Sequence, residues 1–204
     1  MDRTPSVERS MMVPDLASIS HFKEPFPHFR IPQILSLTDA ADMLRWLREK
    51  APWNLRTEEF YEQDECSLLA IALSDDVKPL IGSVFTAPII SAMRQAFNVH
   101  ADLTITEIAA HRLRPGHRIK VHNDYIGGEE THRLLIQLND GWGPKHGGLL
   151  MFFNSEAAED VRKIIAPTHA SGLAFEISPR SFHAVSEVKE GERFTLVYSF
   201  RESR

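Results

Sequence analysis

The chain has 204 residues, 43% hydrophobic and 25% charged, with a formal net charge of −5. That length can bury one sizeable core, and the mild acidic excess excludes the basic footprint of a nucleic-acid binder. Cys66 is the single cysteine, which excludes an intrachain disulfide, and with no secretory h-region in the opening MDRTPSVERSMMVPDLASIS a reducing, cytoplasmic setting is expected. Residues 1–20 are polar and without period and read as a flexible arm; residues 21–204 read as a single domain. HFKEPFPHFRIP (21–32) reads as an extended segment laid on a surface. Thr38 can cap a helix through about Lys50, with Ala40, Met43, Leu44 and Leu47 on one face. A second helix is expected from Pro88 to about Asn98, with Ile89, Met93 and Phe97 aligned.

From about residue 102 the apolar period becomes two. Strands are expected near 103–113, 117–124, 132–139, 147–153, 160–166, 172–177, 182–188 and 193–200. Helices followed by about eight short strands give an α+β fold, a jelly roll with the N-terminal helices packed on one sheet. In RFTLVYSF, Phe194, Leu196, Tyr198 and Phe200 alternate with Arg193, Thr195, Val197 and Ser199. HRLLIQLN alternates Leu134, Ile136 and Leu138 with Arg133, Leu135, Gln137 and Asn139. HRIKVHND sets Arg118, Lys120, His122 and Asp124 on one face, where the two cations either border solvent or attract an anionic group to the mouth. One apolar face per strand suits packing under helices, and the opposite face is free to hold a polar interior site.

His122 and Asp124 lie two residues apart on such a strand, so one ion above that face is within reach of both. Among the downstream histidines, His183 suits a third ligand best, opening the strand HAVSEV after the turn signal SPRS. Two imidazoles and one carboxylate on one face leave coordination positions open, the arrangement of non-haem Fe(II) sites, although zinc accepts the same ligands. Ten residues on, Arg193 and Thr195 offer a guanidinium fork and a hydroxyl, which suit a dicarboxylate. The remaining histidines read as surface or loop residues. Trp142 reads as loop packing, and Gly147-Gly148 is either a turn or a close backbone approach.

These residues resemble the Fe(II)/2-oxoglutarate-dependent oxygenases, in particular the prolyl-hydroxylase-like branch. The shared pattern is His122-Asn123-Asp124, the distal His183 and Arg193-Phe194-Thr195, with QLNDGWGPKHGGLLMFF (137–153) also similar. The resemblance covers about 103–200 and implies a double-stranded β-helix fold. It implies Fe(II) on His122, Asp124 and His183, with 2-oxoglutarate and dioxygen as cosubstrates and the distal carboxylate of 2-oxoglutarate on Arg193 and Thr195. Where the branch commonly carries a tyrosine that contacts 2-oxoglutarate, this chain has Gln137, which shares that strand's polar face and can bond the same carboxylate. The implied reaction is hydroxylation of an unactivated C–H bond in a peptide or protein side chain, with release of succinate and CO2. The alternatives are a free amino acid or small metabolite as substrate, or a non-catalytic metal and 2-oxoglutarate sensor. Nucleic-acid demethylation fits less well, since Ser199 stands where that branch has a second arginine. Halogenation fits less well too, since Asp124 fills the position that halogenases open for chloride. The loops 125–132 and 139–148 are expected to rim the mouth of the site.

Overall fold

The computed structural model describes residues 11–203. The first half of the expected arm lies outside these residues. Its second half touches the fold, with Met12 buried in the core and the Asp15 N–H donating to the Ile34 carbonyl.

Four strands precede the expected eight: β1 (Ser20–Phe22), β2 (His28–Ile31), β3 (Asn54–Thr57) and β4 (Glu62–Ser67). The jelly-roll strands follow as β5 (Leu103–Leu113), β6 (Ile119–His122), β7 (His132–Gln137), β8 (Leu150–Phe153), β9 (Val161–Ile165), β10 (Gly172–Glu176), β11 (His183–Val185) and β12 (Arg193–Glu202). All pair antiparallel. An eight-stranded sheet runs β1-β2-β10-β7-β12-β5-β4-β3, and a four-stranded sheet, β6-β11-β8-β9, faces it. The expected α+β jelly roll is therefore the observed fold, enlarged by N-terminal strands at both edges of the larger sheet. Those strands are three to six residues long, β2 to β4 carry charges, and prolines lie between and beside them, which left no alternation to detect.

The helices begin earlier than their expected starts. α1 spans Leu37–Glu49 and is capped by Ser36, whose Oγ accepts from the Asp39 N–H at 3.0 Å, so Thr38 is already inside the first turn. α2 spans Ser83–Phe97 and carries Pro88 within it. Gly82 starts the helix, accepting from the Thr86 N–H, and buried Phe85 anchors its first turn. Pro88 lacks the N–H that would bond the Val84 carbonyl, and Val84 is an exposed residue. Asn98 closes the helix in the left-handed region, at φ 57°.

Period-two alternation divides the interior into two cores. Leu134, Ile136, Leu138, Phe194, Leu196, Tyr198 and Phe200 pack against Leu44, Leu47, Phe85 and Met93 beneath the helices. Leu135, Val197, Leu173 and Phe175 face Leu150, Phe152 and Val185 across the sandwich. Each buried Leu or Phe contributes roughly 1.5–3 kcal/mol. β12 is buried along residues 193–200 because it serves both cores.

Two features lock the closed end of the roll. Buried Asn139 uses Oδ1 to accept from the Phe194 N–H at 2.7 Å and Nδ2 to donate to the Phe194 and Pro167 carbonyls. Gly147 sits at φ +67°, where a Cβ would lie 2.0 Å from the Glu187 carbonyl oxygen, so the paired glycines are a close backbone approach. Asn139→Ala leaves the buried Phe194 N–H without its acceptor and is expected to cost about 1–3 kcal/mol in urea unfolding. Gly147→Ala is expected to cost roughly 2 kcal/mol or more, because its methyl meets backbone. Gly116→Ala, at φ +89° with open space around it, loses only the backbone preference, about 1–2 kcal/mol.

Candidate metal centre and cosubstrate pocket

β6 supplies His122 at its end, and β11 supplies His183 as its direct cross-strand partner, with ring centroids 4.2 Å apart. Each imidazole is held by Nδ1, which lies 2.9 Å from the Lys120 carbonyl in His122 and 2.8 Å from the Ser181 carbonyl in His183. An Nδ1–H donating to those carbonyls leaves each Nε2 lone pair free, and both Nε2 atoms turn to Asp124, at 3.3 Å and 3.0 Å. Asp124 itself adopts φ 57°, an uncommon backbone for a residue with a Cβ. Its neighbour Asn123 holds that turn: Oδ1 accepts from the Tyr125 N–H, Nδ2 donates to the Pro179 carbonyl, and its own carbonyl accepts from Ser181 Oγ. The ligand atoms of His122, Asp124 and His183 lie within 4.8 Å of one another and could hold one metal ion.

Arg133, from β7, is the charge partner of this group. Its Nη1 reaches Asp124 Oδ2 at 2.5 Å, while Nε and Nη2 grip the two carboxylate oxygens of Glu130 at 2.8 and 2.7 Å. Burial opposes ionisation of Asp124, but Arg133 and the two imidazoles outweigh it and hold the carboxyl well below its usual range. Burial, with His122 nearby, keeps His183 below its usual value and therefore neutral, the form that binds metal.

A cavity of about 390 Å³ extends from these residues between the sheets, lined on its floor by Arg193, Thr195, Val197 and Ser199 of β12. At its far end Arg193 is buried, and desolvation pulls its guanidinium down to about 10. Nη1 donates to Thr195 Oγ1 at 2.9 Å, Nε has no partner, and among the described residues no carboxylate pairs with the guanidinium. A buried cation without an anion is costly unless a ligand supplies one. Gly148 lies against this arginine: a Cβ there would sit 2.8 Å from Arg193 Cδ and 3.3 Å from Trp142. Trp142 packs the loop, donating Nε1–H to the Gly147 carbonyl.

Gln137 stands behind the floor, its Oε1 accepting from Thr195 Oγ1 at 3.0 Å. Arg118 and Lys120 do not share the cavity face with His122. The register of β6 against β11 shifts, pairing His122 with His183 but Ile119 with Val185, so Ile119 points into the cavity in their place. Lys120 instead donates to the Glu59 carbonyl, and Arg118 is exposed beside Glu187. The loop 139–148 ends behind Arg193 rather than at the metal end, with Gly148 lying against that side chain. His28, His111 and His132 are not surface residues. Burial pulls each down to about 4, and His111 lines the cavity. Sequence reading missed the roles of Arg133, His111, Glu65 and Glu107. The alternation of LTITEIAAHRL already sets Glu107, Ala109 and His111 opposite Ile108 and Ala110; the inward direction came from the tertiary pairing.

Residues 108–201 match the family model described as the 2OG-Fe(II) oxygenase superfamily. No curated protein matches the chain. Among solved structures, a prolyl-4-hydroxylase from Pseudomonas putida is similar, with 19% identity and a TM-score of 0.68 over 87% of this chain and 93% of its own. A prolyl hydroxylase from Trichoplax adhaerens, solved with a hypoxia-inducible-factor oxygen degradation domain peptide fragment, gives 14% identity and a TM-score of 0.71 over 86% and 83%. The viral collagen prolyl hydroxylase from Paramecium Bursaria Chlorella virus-1 gives 11% and 0.65 over 86% and 96%. At these identities the structures share the fold, while the matched segment carries both histidines, the aspartate and the arginine. Residues 108–201 are thus similar to the 2OG-Fe(II) oxygenases over the segment that carries His122, Asp124, His183 and Arg193, and the chain has the fold of the prolyl hydroxylases.

Proposed function

We propose that this oxygenase hydroxylates a C–H bond in a peptide or protein side chain, with His122, Asp124 and His183 holding Fe(II). Arg193 binds the distal carboxylate of 2-oxoglutarate; Thr195 Oγ1, which accepts from Arg193 and donates to Gln137 Oε1 in the free protein, turns its proton to that carboxylate when the cosubstrate is bound. The observation that carries the reading is the buried Arg193, without an anionic partner, in the same cavity as the His/Asp/His group. When bound, iron and dioxygen supply oxidation of 2-oxoglutarate to succinate and CO2, one oxygen atom entering the succinate and the other the substrate C–H bond. The protein orients the cosubstrate and excludes water from its length through Leu135, Leu150, Val185 and Val197.

The peptide reading is supported by the open end of the cavity. Phe60 and Tyr61 line it there, and exposed Tyr125 and Ile126 directly follow Asp124. An extended chain laid across these side chains brings one of its own toward the metal end. A free amino acid is the second reading, in which its α-carboxylate competes with Glu58 and Glu65 for Arg56, a cation on the cavity wall. The enzyme works in a reducing cytoplasm, consistent with Cys66 as a buried free thiol, and among the described residues no helix is long and apolar enough to cross a membrane.

His183→Ala is expected to abolish succinate formation and to weaken Mn(II) binding at least tenfold by calorimetry. Parental turnover in that variant would remove it from the ligand set. Arg193→Ala is expected to raise the KM for 2-oxoglutarate by roughly 30-fold or more, a loss of about 2–5 kcal/mol. Gly148→Ala should move the same KM in the same direction through its contact with Arg193. An unchanged KM in both would sink the carboxylate assignment. A panel of peptides and free amino acids, read by mass spectrometry for a gain of one oxygen, decides between the two substrate readings.

A further inference from the structure

A second cavity, of about 340 Å³, opens at the end of the larger sheet opposite β3 and β4. It lies between β1, β2, β10 and β7 on one side and β8 and β9 on the other, and Leu150 borders both it and the metal-site cavity. Leu150, Ile165 and Leu173 form its apolar body. Its lining holds one charged side chain, Arg30, and no acid.

Gln137 lines this second cavity and is only 4% exposed. The donors around it dictate which way its amide points. Arg193 can only donate, so Thr195 Oγ1 accepts from Nη1 and gives its own proton to Gln137 Oε1. Asn139 Nδ2 approaches the same oxygen at 3.5 Å. Nε2 is thereby turned away from Thr195, and it makes no hydrogen bond among the described residues. Amide protons on a residue this buried are costly unless an acceptor enters the cavity.

Arg30 gives an independent indication. Leu173 pairs with Leu135 on one side and Arg30 on the other, which puts Arg30 on the interior face, two strands and two residues from Gln137. Strand spacing sets their Cα atoms roughly 12 Å apart. Arg30 is exposed at the mouth and has no acid partner among the described residues. A second cation stands close by. His28 gives its Nδ1–H to the Phe26 carbonyl, so its Nε2 accepts from Lys163 Nζ at 2.9 Å, and that ammonium lies 3.7 Å over the Phe22 ring. Burial, and then the charge of Arg30, holds Lys163 below its usual value. Two cations with no acid between them, at the mouth of an apolar cavity, attract an anion.

We infer that this cavity binds a linear organic dicarboxylate, one carboxylate on Arg30 and the other accepting from Gln137 Nε2, with the methylene chain over Leu150, Ile165 and Leu173. Allowing about 3 Å for a hydrogen bond at each end, the gap suits a chain of about four to six carbons. Such a ligand acts on the neighbouring pocket. A bond from Nε2 to a carboxylate strengthens Oε1 as an acceptor, so the Thr195 proton stays on Gln137 instead of turning to the cosubstrate. The bound anion therefore weakens 2-oxoglutarate binding, and the reverse holds equally. This coupling rests on the oxygenase reading; the site itself does not.

The test begins with binding that needs no turnover. Adipate and its neutral analogue hexane-1,6-diol are titrated into the full chain with Zn(II) and saturating 2-oxoglutarate, which keeps Arg193 occupied. Binding is followed through the methyl NMR signals of Ile165 and Leu173. Adipate is expected to bind about tenfold or more tightly than the diol, as charge-assisted bonds to Arg30 require. Arg30→Gln should bring that ratio to within about threefold. Ala166→Phe, which fills the cavity lining, should abolish binding of both probes and serves if the first variant folds poorly. Lys120→Gln, on β6, should leave the ratio unchanged. In turnover, adipate should raise the KM for 2-oxoglutarate about two- to fivefold in the parent and leave it unchanged in Arg30→Gln. Equal binding of the two probes, or an adipate preference that survives both cavity variants, would overturn the site. A KM raised equally in the parent and Arg30→Gln would put adipate on Arg193 and overturn the coupling. An adipate preference in a protein that forms no succinate would count against the oxygenase reading and leave the dicarboxylate site standing.

Discussion

The site depends above all on the register of β12, the strand shared by both cores. Its odd-numbered residues from Arg193 to Ser199 form the cavity floor, while Phe194, Leu196, Tyr198 and Phe200 lie under the helices. A slip of one residue would exchange the two sets, burying a guanidinium among leucines and phenylalanines and turning four large apolar side chains into the cavity. The apolar face therefore fixes where the polar one stands. Asn139, bonded to both backbone groups of Phe194, pins the strand at the one residue between Arg193 and Thr195.

Charge is arranged along this floor in two contrasting ways. Near the mouth, Asp124 is matched by Arg133, and Arg133 by Glu130, so the carboxylate group stays ionised and oriented before any metal arrives. At the far end Arg193 has the Thr195 hydroxyl for company and, among the described residues, no acid. The first arrangement holds His122, Asp124 and His183 together, and the second leaves a buried cation that an anionic ligand would match. A buried ion pair contributes little net stability, whereas a buried unpaired cation is a standing cost. Function, rather than folding, gives the second arrangement its reason.

The backbone meets that requirement with conformations most residues avoid. Asp124 at φ 57° turns its carboxylate back toward the two imidazoles, held by both sides of Asn123. Gly147 and Gly148 let the chain pass against the Glu187 carbonyl and the Arg193 stem, closer than any side chain permits. On the other flank, β3 and β4 widen the larger sheet and add the polar wall of Gln63, Glu65 and Ser67, which the eight jelly-roll strands alone lack.

Much of this was legible in the sequence because short-range periodicity carries it. Alternation in RFTLVYSF and HRLLIQLN assigned each side chain to a face, and the pattern His122, Asp124, His183, Arg193 singled out one polar face as chemical. Three things needed the tertiary structure. The irregular register of β6 put Ile119 rather than Lys120 into the cavity, because a bulge breaks the period on which parity relies. The grip of Arg133 on Asp124 follows from a loop that folds back between two strands, and spacing alone does not encode a loop path. The wall of Glu65, Glu107 and Gln63 joins residues about forty positions apart across strands whose pairing is set by which surfaces can be buried together. Local sequence determines which face a side chain occupies; only long-range packing decides what stands opposite it.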